Sequence, residues 1–416
     1  MHEATTQTAP ARDRSLQAAV TRAQVGARRR AFLLVLPLLA FIFFSFAVPI
    51  GQMLHRSIYN PAFPVNMAEI SAWFRDNPAG TPPDEAAYKA LAADLRAAAE
   101  ARTIGMVGTR VNYELSGTRS LFTAAGRRAD GLQPPFSESI PALDAEWASD
   151  ELWAAMRNVS ASYTADFYLA AADLTRANDG SIIGVPEGQK IYVEIFQRTL
   201  LLSLLITGLC LALGFPVAHL LATLPMRYSN LLMILVLLPF WTSLLVRTTA
   251  WIAILQGQGV INSTLVALGI ISDDARLSLV YNEAGTIIAM THILLPFMVL
   301  PLYSVMRTIN PGYVRAARSL GASSWTAFRR IYLPQTLPGI GAGSVLVFIL
   351  AVGYYITPAL VGGASGQLIS NLIAFHMQNS LNWSLAAALA AILLAIVLLL
   401  YWLYDRLVGI DNMKLG

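Results

Sequence analysis

The chain has 416 residues, 56% of them hydrophobic and 13% charged, whereas a soluble domain is roughly a quarter charged. This balance excludes an ordinary soluble enzyme and places the chain among membrane proteins. The net charge of +4 requires no nucleic acid, because the basic residues gather at the ends of apolar segments, where membrane topology accounts for them. Residues 1–30 are polar, rich in Ala, Thr and Arg, and end in Arg28-Arg29-Arg30; they read as a disordered cytoplasmic tail. Residues 31–50, Ala31 to Ile50, are almost unbroken apolar sequence, and about 20 residues suffice to cross a hydrocarbon core of roughly 30 Å. A signal peptide would have a shorter apolar region followed by small residues at a cleavage site. Here Pro49-Ile50-Gly51-Gln52-Met53 follows, so the segment reads as an uncleaved first span.

Residues 51–190 read as a soluble insert. About 18 of the 25 acidic residues lie between Gly51 and Arg198. Tyr88, Leu91, Leu95 and Ala98 share a helical face behind Pro82-Pro83-Asp84. Leu143, Trp147 and Met156 suggest a second helix, Phe167 to Leu174 a third, and Gly131 to Pro135 a loop. The insert shows no metal cluster, nucleophile motif or phosphate loop. Its carboxylates, scattered among arginines, read as a solvated face. It is expected to be a contact surface for another protein, or else a neutral decoration.

Five further apolar runs follow, at about 199–221, 231–255, 284–306, 338–360 and 384–403, within a region 191–408 that reads as the membrane core. The single Cys210 lies inside the first of these, which excludes an intrachain disulfide and suits a small apolar filler. Six spans put both termini on one side. Arg12, Arg14, Arg22 and the triple arginine lie in the N-terminal tail. Arg307, Arg315, Arg318, Arg329 and Arg330 follow the fourth span, and the 361–383 loop has no Lys or Arg. The basic excess marks the cytoplasmic side, so both termini, including a 409–416 tail, are expected inside and the 51–190 insert outside.

The loop 307–337 carries the most specific pattern. Asn310 can cap a helix whose first residue is Pro311, and Gly321 stands where a left-handed residue would end it. Ser323 or Ser324 can cap a second helix, which is expected to yield before Pro334. Ala316 and Ala317 let another surface approach the first helix closely. Two alanines, three residues, Gly321, nine residues, Ile331, one residue, then Leu333-Pro334: this spacing resembles the "EAA" signature of the permease subunits of binding-protein-dependent ABC importers. Pro239-Phe240-Trp241-Thr242-Ser243 with Arg247 and Trp251 resembles the spermidine/putrescine branch. So do Leu295-Pro296-Phe297, Leu300-Pro301-Leu302-Tyr303, Thr357-Pro358-Ala359-Leu360 with Gly362-Gly363, and Asp411 to Gly416. The resemblance is loose over 31–57, good over 195–416 and does not cover the insert.

The resemblance implies an all-α membrane protein with about six transmembrane helices of the type I ABC importer permease fold, to which the residues themselves add a large, mostly helical external insert between helices 1 and 2. It implies a coupling loop formed by Arg315, Ala316, Ala317, Gly321, Ala322, Ser323, Ile331, Leu333 and Pro334. This loop would dock into a cytoplasmic ATPase. Arg315 departs from the family, which usually has glutamate there, so the charge is reversed. The implied partners are two cytoplasmic ABC ATPase subunits, a second permease subunit giving a heterodimer, a periplasmic solute-binding protein and membrane lipid, in a bacterial inner membrane. The chain has no G-x-x-x-x-G-K-[ST] loop. It would bind no cofactor or metal itself, and ATP and Mg would be handled by the ATPase subunits. The function implied is ATP-driven import of a polyamine or related amine by alternating access. Related permeases carry sulfate, molybdate, iron, thiamine or phosphonates. A membrane sensor would need fewer spans and an output domain, and a membrane enzyme more titratable groups inside the spans.

Candidate path residues are Trp241, Arg247, Trp251, Tyr354 and Tyr355. Arg247 is a formal charge within the third span, which makes it a pathway or gate residue, or one that snorkels or pairs with Asp273, Asp274 or Glu283. The aromatics could meet an amine by cation–π contact or pack between helices. His292 reads as a helix-packing residue with a satisfied ring, and Gly353 and Pro358 as a bend in the fifth span.

Overall fold

The computed structural model describes residues 9–177 and 179–408; the tail 409–416, with the Asp411–Gly416 motif, and residues 1–8 lie outside them. Two compact units are distinguished, Met1–Arg56 and Ser57–Gly416. In the first, helix α1 spans Ala9–Ile42, a π-turn Phe43–Ala47 follows, and α2 spans Val48–Arg56. The expectation of a disordered tail is thus corrected over residues 9–30, whose Ala, Arg, Leu and Gln favour helix. The membrane-length segment is Ala27–Arg56, longer at both ends than residues 31–50. The N–H of Val48 reaches back five residues to Phe43, a register that relaxes the ladder just where Pro49 has no N–H to give.

The insert belongs to the second unit. Its helices are α3 (Ala62–Asn66), α4 (Ala68–Asp76), α5 (Glu85–Glu100), α6 (Ile104–Asn112), α7 (Thr118–Gly126), α8 (Phe136–Ser139), α9 (Asp150–Val159) and α10 (Asp166–Ala171). Helix α5 starts as expected, with the Asp84 carboxylate accepting from Ala87 N at 2.9 Å. The second predicted helix is shorter than read: Ala145–Ala148 is a 3₁₀ turn, and α9 begins only at Asp150, capped by Ser149. The third ends at Ala171, and Leu174 opens a hairpin, β1 (Leu174–Arg176) paired antiparallel to β2 (Ile182–Gly184). One closed apolar core runs from Phe63 to Val159 and includes Leu91, Leu95, Phe122, Trp147 and Met156.

The helices of the membrane core are α11 (Tyr192–Thr223), α12 (Met226–Leu237), α13 (Leu244–Leu255), α14 (Val260–Ala267), α15 (Glu283–Thr308), α16 (Pro311–Ser319), α17 (Ser324–Ala327), α18 (Leu333–Val352), α19 (Ile356–Val361), α20 (Ile369–Gln378) and α21 (Trp383–Val408). Among the described residues six helical segments are long and apolar enough to cross a membrane, including Ala27–Arg56 of the first unit. In the second unit α11, α15 and α18 enclose a cluster of Ile206, Cys210, Leu294, Met298, Leu302 and Val347. Gly343 of α18 lets the backbones close up: a Cβ there would lie 2.7 Å from Met298 Sδ.

Two of the predicted spans are interrupted. The run 231–255 is not one helix. It is α12, a 3₁₀ turn Leu238–Trp241, extended residues Thr242 and Ser243, and then α13. Pro239 supplies no N–H to continue the ladder. The fifth span ends at Val352, and α19 begins afresh at Ile356, so Gly353 marks a break rather than a bend, while Pro358 lies within α19. Conversely, the helix expected to stop before Pro334 runs through it. A π-turn at Phe328–Tyr332 sets the N–H of Leu333 onto Phe328 O, and Pro334 enters at the start of α18, where its missing N–H disturbs the ladder least.

The insert is joined to the membrane core by a third cluster, in which Phe167 and Ala171 pack with Phe196, Ile369, Leu385, Ala388 and Leu389. The insert's carboxylates do not all form a solvated face: Asp94, Asp166 and Asp173 are buried. Asp173 ends α10 in the left-handed conformation (φ 56°), and its carboxylate then accepts from the N–H groups of Ile191, Tyr192 and Val193 at 3.1, 3.1 and 2.8 Å, capping α11. Asn60 Nδ2 donates to Ser384 Oγ (3.3 Å) and Tyr113 OH to Leu381 O (3.2 Å) at the start of α21.

Candidate functional site

The loop 307–337 forms a tight elbow. Asn310 Oδ1 accepts from Gly312 N at 2.8 Å, Pro311 is the first residue of α16, and no residue of α16 is buried. Gly321 has φ +93°; its N–H bonds Arg318 O and the N–H of Ala322 bonds Ala317 O, both at 3.0 Å. These two bonds make the Schellman closure that a left-handed glycine allows. Ser323 Oγ then accepts from Thr326 N at 3.2 Å and starts α17. The elbow therefore brings Arg315, Ala316, Ala317, Gly321, Ala322 and Ser323 together. Arg315, Ala316, Gly321 and Ser323 are exposed, and Ala317 and Ala322 half-buried. Ile331, Leu333 and Pro334 lie on the following helix, where only Pro334 is exposed.

An aromatic ladder ties the elbow to the membrane helices. Trp325 stacks on Phe328 and Phe328 on Tyr332, each at 5.8 Å, and Tyr332 OH lies 2.9 Å from His219 Nδ1 on α11. A cavity of about 630 Å³, lined among others by His219, Val314, Arg315, Phe328 and Tyr332, lies behind α16. Sequence reasoning missed His219 and Tyr332. Their only signal was the four-residue spacing of Phe328 and Tyr332 on one helical face.

The predicted path residues Trp241, Tyr354 and Tyr355 sit at the two span breaks, and Arg247 and Trp251 follow on α13. Arg247, on the first turn of α13, does not pair with Asp273, Asp274 or Glu283. Its guanidinium turns back onto the break and donates to the carbonyls of Pro239 and Thr242 and to Thr242 Oγ1. Asp273 instead takes Arg276 at 2.7 Å, and Glu283 lies 3.9 Å from Arg198. Trp241 is exposed beside the break. Trp251 lies one turn beyond Arg247 and donates from Nε1 to His292 Nδ1 at 3.1 Å, which gives His292 the satisfied ring expected of it. Tyr354 and Tyr355 occupy the break between α18 and α19, Tyr354 half-buried and Tyr355 more open. Their carbonyls accept from Ser370 Oγ (2.5 Å) and Asn371 Nδ2 (2.9 Å). Thr248 of α13 and Thr357 of α19 meet hydroxyl to hydroxyl at 3.2 Å in a buried contact. Ser370, Asn371 and Thr248 carry no signal in the sequence, because their partners are backbone groups or hydroxyls distant in sequence, and Thr357, part of the Thr357–Leu360 motif, gives no sign there of its Thr248 partner.

The sequence pattern of the family described as "Binding-protein-dependent transport system inner membrane component" matches residues 211–409, a stretch that excludes the insert. The spermidine/putrescine transport system permease protein of Escherichia coli (strain K12) is 38% identical over 222 residues, which cover 53% of this chain and 80% of that protein. The corresponding permease of Haemophilus influenzae is 36% identical over 224 residues, 54% of this chain and 78% of that one. The molybdenum transport system permease protein of Mycobacterium bovis is 31% identical over 185 residues, 44% and 67% respectively. A solved bacterial ABC transporter involved in import of the acidic polysaccharide alginate overlays with a TM-score of 0.41 at 23% identity, covering 52% of this chain and 79% of that one. With a family match centred on the membrane core, and relatives covered over more than two thirds of their length, the chain belongs to the inner-membrane permease components of binding-protein-dependent transport systems.

Proposed function

We propose that the chain is the permease subunit of an ATP-driven importer whose solute is a polyamine of the spermidine/putrescine type or a related amine. The observation that carries this reading is the 38% identity to the Escherichia coli spermidine/putrescine permease across four fifths of that protein. In this reading both termini and the loop 307–337 are cytoplasmic and residues 57–190 are external, in keeping with the arginines after the fourth span and their absence from 361–383. The elbow around Gly321, rigid and exposed, docks on one of two ATPase subunits, which hydrolyse ATP with Mg. A second permease subunit completes the path, and a periplasmic solute-binding protein delivers the amine. Closure of the ATPases moves α16 as a body, and the ladder Trp325, Phe328, Tyr332 and His219 passes that motion to α11 and α18. Arg315 places a positive charge on the docking face, which suits an ATPase groove carrying a carboxylate at that point. The aromatic groups Trp241, Trp251, Tyr354 and Tyr355 and the carbonyl-rich breaks beside them line the amine's route.

The test is uptake of labelled putrescine and spermidine by cells with and without this chain. Loss of polyamine uptake on deletion, restored by the gene in trans, is the expected result. Unchanged polyamine uptake alongside loss of another solute would replace the substrate while leaving the transport role.

A further inference from the structure

The cavity of about 630 Å³ behind α16 lies where the elbow meets the ends of two membrane-length helices, α11 and α15. Its volume falls within the roughly 300–1,000 Å³ of ordinary ligand pockets. Pro311, Val314 and Arg315 recur at helical spacing, so α16 turns one face toward it. Ala222, Met306, Ile309, Val314 and Phe328 give it an apolar wall, and Arg307 and Arg315, both exposed, border it. Arg307 donates to Ala222 O (3.3 Å) and approaches Met226 Sδ (3.2 Å), neutral groups that place the guanidinium without cancelling its charge. Among the described residues neither arginine has a carboxylate within ion-pair distance. The sequence accounts for this: no Asp or Glu stands between Glu194 and Asp273, or between Glu283 and Asp405.

Two cations beside an apolar wall suit a molecule with an anionic head and an apolar stem. A carboxylate from a docking protein would answer the arginines but leave the wall uncovered. In the orientation proposed above, the ends of α11 and α15 lie at the cytoplasmic leaflet, whose anionic lipids draw basic side chains. We propose that the cavity seats an anionic phospholipid of that leaflet, with its phosphate held by Arg307 and Arg315 and the start of an acyl chain against Met306, Ile309 and Phe328. The proposal rests on that orientation and not on the amine. A lipid seated there fills the space between α16 and the ends of α11 and α15, so that a push on the elbow moves those helices instead of closing a gap.

The test purifies the whole importer, with its partner subunits, from bilayers of phosphatidylglycerol and phosphatidylcholine in equal parts. Mass spectrometry then counts the lipid retained per complex, whatever solute is carried. Wild type is expected to retain phosphatidylglycerol in preference to phosphatidylcholine. The double variant R307Q/R315Q should cut that retention about tenfold, and R329Q/R330Q, which removes two exposed arginines that do not line the cavity, should stay within about twofold of wild type. If R307Q/R315Q does not assemble, A222F, which keeps both arginines and fills the cavity, replaces it with the same expected loss. Undiminished retention in R307Q/R315Q or A222F would overturn the lipid seat, and loss of the ATPase subunits alongside it would assign the arginines to a carboxylate of that partner. Equal loss in R329Q/R330Q would overturn it as a diffuse surface charge, and displacement of phosphatidylglycerol by inorganic phosphate would overturn it in favour of a soluble anion. Labelling a cysteine at Ser319 from either side of sealed vesicles reads the orientation separately. An external elbow, with retention still lost in R307Q/R315Q, keeps the lipid seat and sinks the orientation alone.

Discussion

Asp94 sits on α5 with its carboxylate against the start of α4, accepting from Glu69 N at 3.2 Å and Ile70 N at 2.8 Å. Burial raises its pKa to about 6 from an ordinary 3.8, and the two backbone bonds offset that only in part. Because the folded pKa is the higher one, the folded state binds the extra proton between these values. The associated stability is therefore fully present below about pH 3.8 and is lost as pH rises through about 6. The size is on the order of 2 kcal/mol. Hydrogen exchange across residues 68–76, corrected for intrinsic rates, should show protection falling between pH 4 and pH 7 in wild type and much less in Asp94→Asn. A flat wild-type profile would show that the carboxylate is better solvated than its burial indicates.

Elements in this chain are set by their ends. The elbow depends on Gly321 because φ +93° costs a residue with a Cβ on the order of 1–2 kcal/mol. Gly321→Val is expected to leave membrane insertion intact and to cut uptake per ATP hydrolysed by about tenfold or more. Gly321→Asn, which tolerates the left-handed region, should lose less. Uptake and ATPase rates measured together in vesicles check this, and normal coupling in Gly321→Val would remove the elbow from the transmission route. This elbow was legible in the sequence because Asn310, Pro311, Gly321 and Ser323 act on neighbours within four residues. The broken spans were not. Residues 231–255 are apolar on average despite Arg247, and hydropathy cannot see that Pro239 and the extended Thr242 part them, since the compensating donor, Arg247, lies beyond the break. The π-turn that carries the chain through Pro334 was hidden likewise, because nothing in composition distinguishes a five-residue register from a four-residue one. Of the path residues, the sequence singled out Arg247 by its charge but not its carbonyl partners.

At the scale of the whole molecule, the large insert is less detachable than its composition suggests. Its 63–159 core is closed on itself, but α10 packs on α11, α20 and α21, and Arg110 of α6 lies over the Phe167 ring at 4.9 Å, linking the two clusters. Asp173 makes the joint directional by capping α11 from the insert side. Removing such a charged cap costs about 1–2 kcal/mol. Asp173→Ala should therefore speed hydrogen exchange at residues 191–195 by about tenfold while leaving the 63–159 core protected. Equal loss of protection in both regions would show that the insert and the membrane helices unfold as one.

The make-up of the third cluster also sets a timetable. Phe167 and Ala171 leave the ribosome well before Ile369, Leu385 and Leu389, the side chains they finally rest on. The 63–159 globule can mature early from its own residues. Its seat, however, is finished only when α21 has been synthesised, and until then the nascent protein holds a completed module on an unfinished mount.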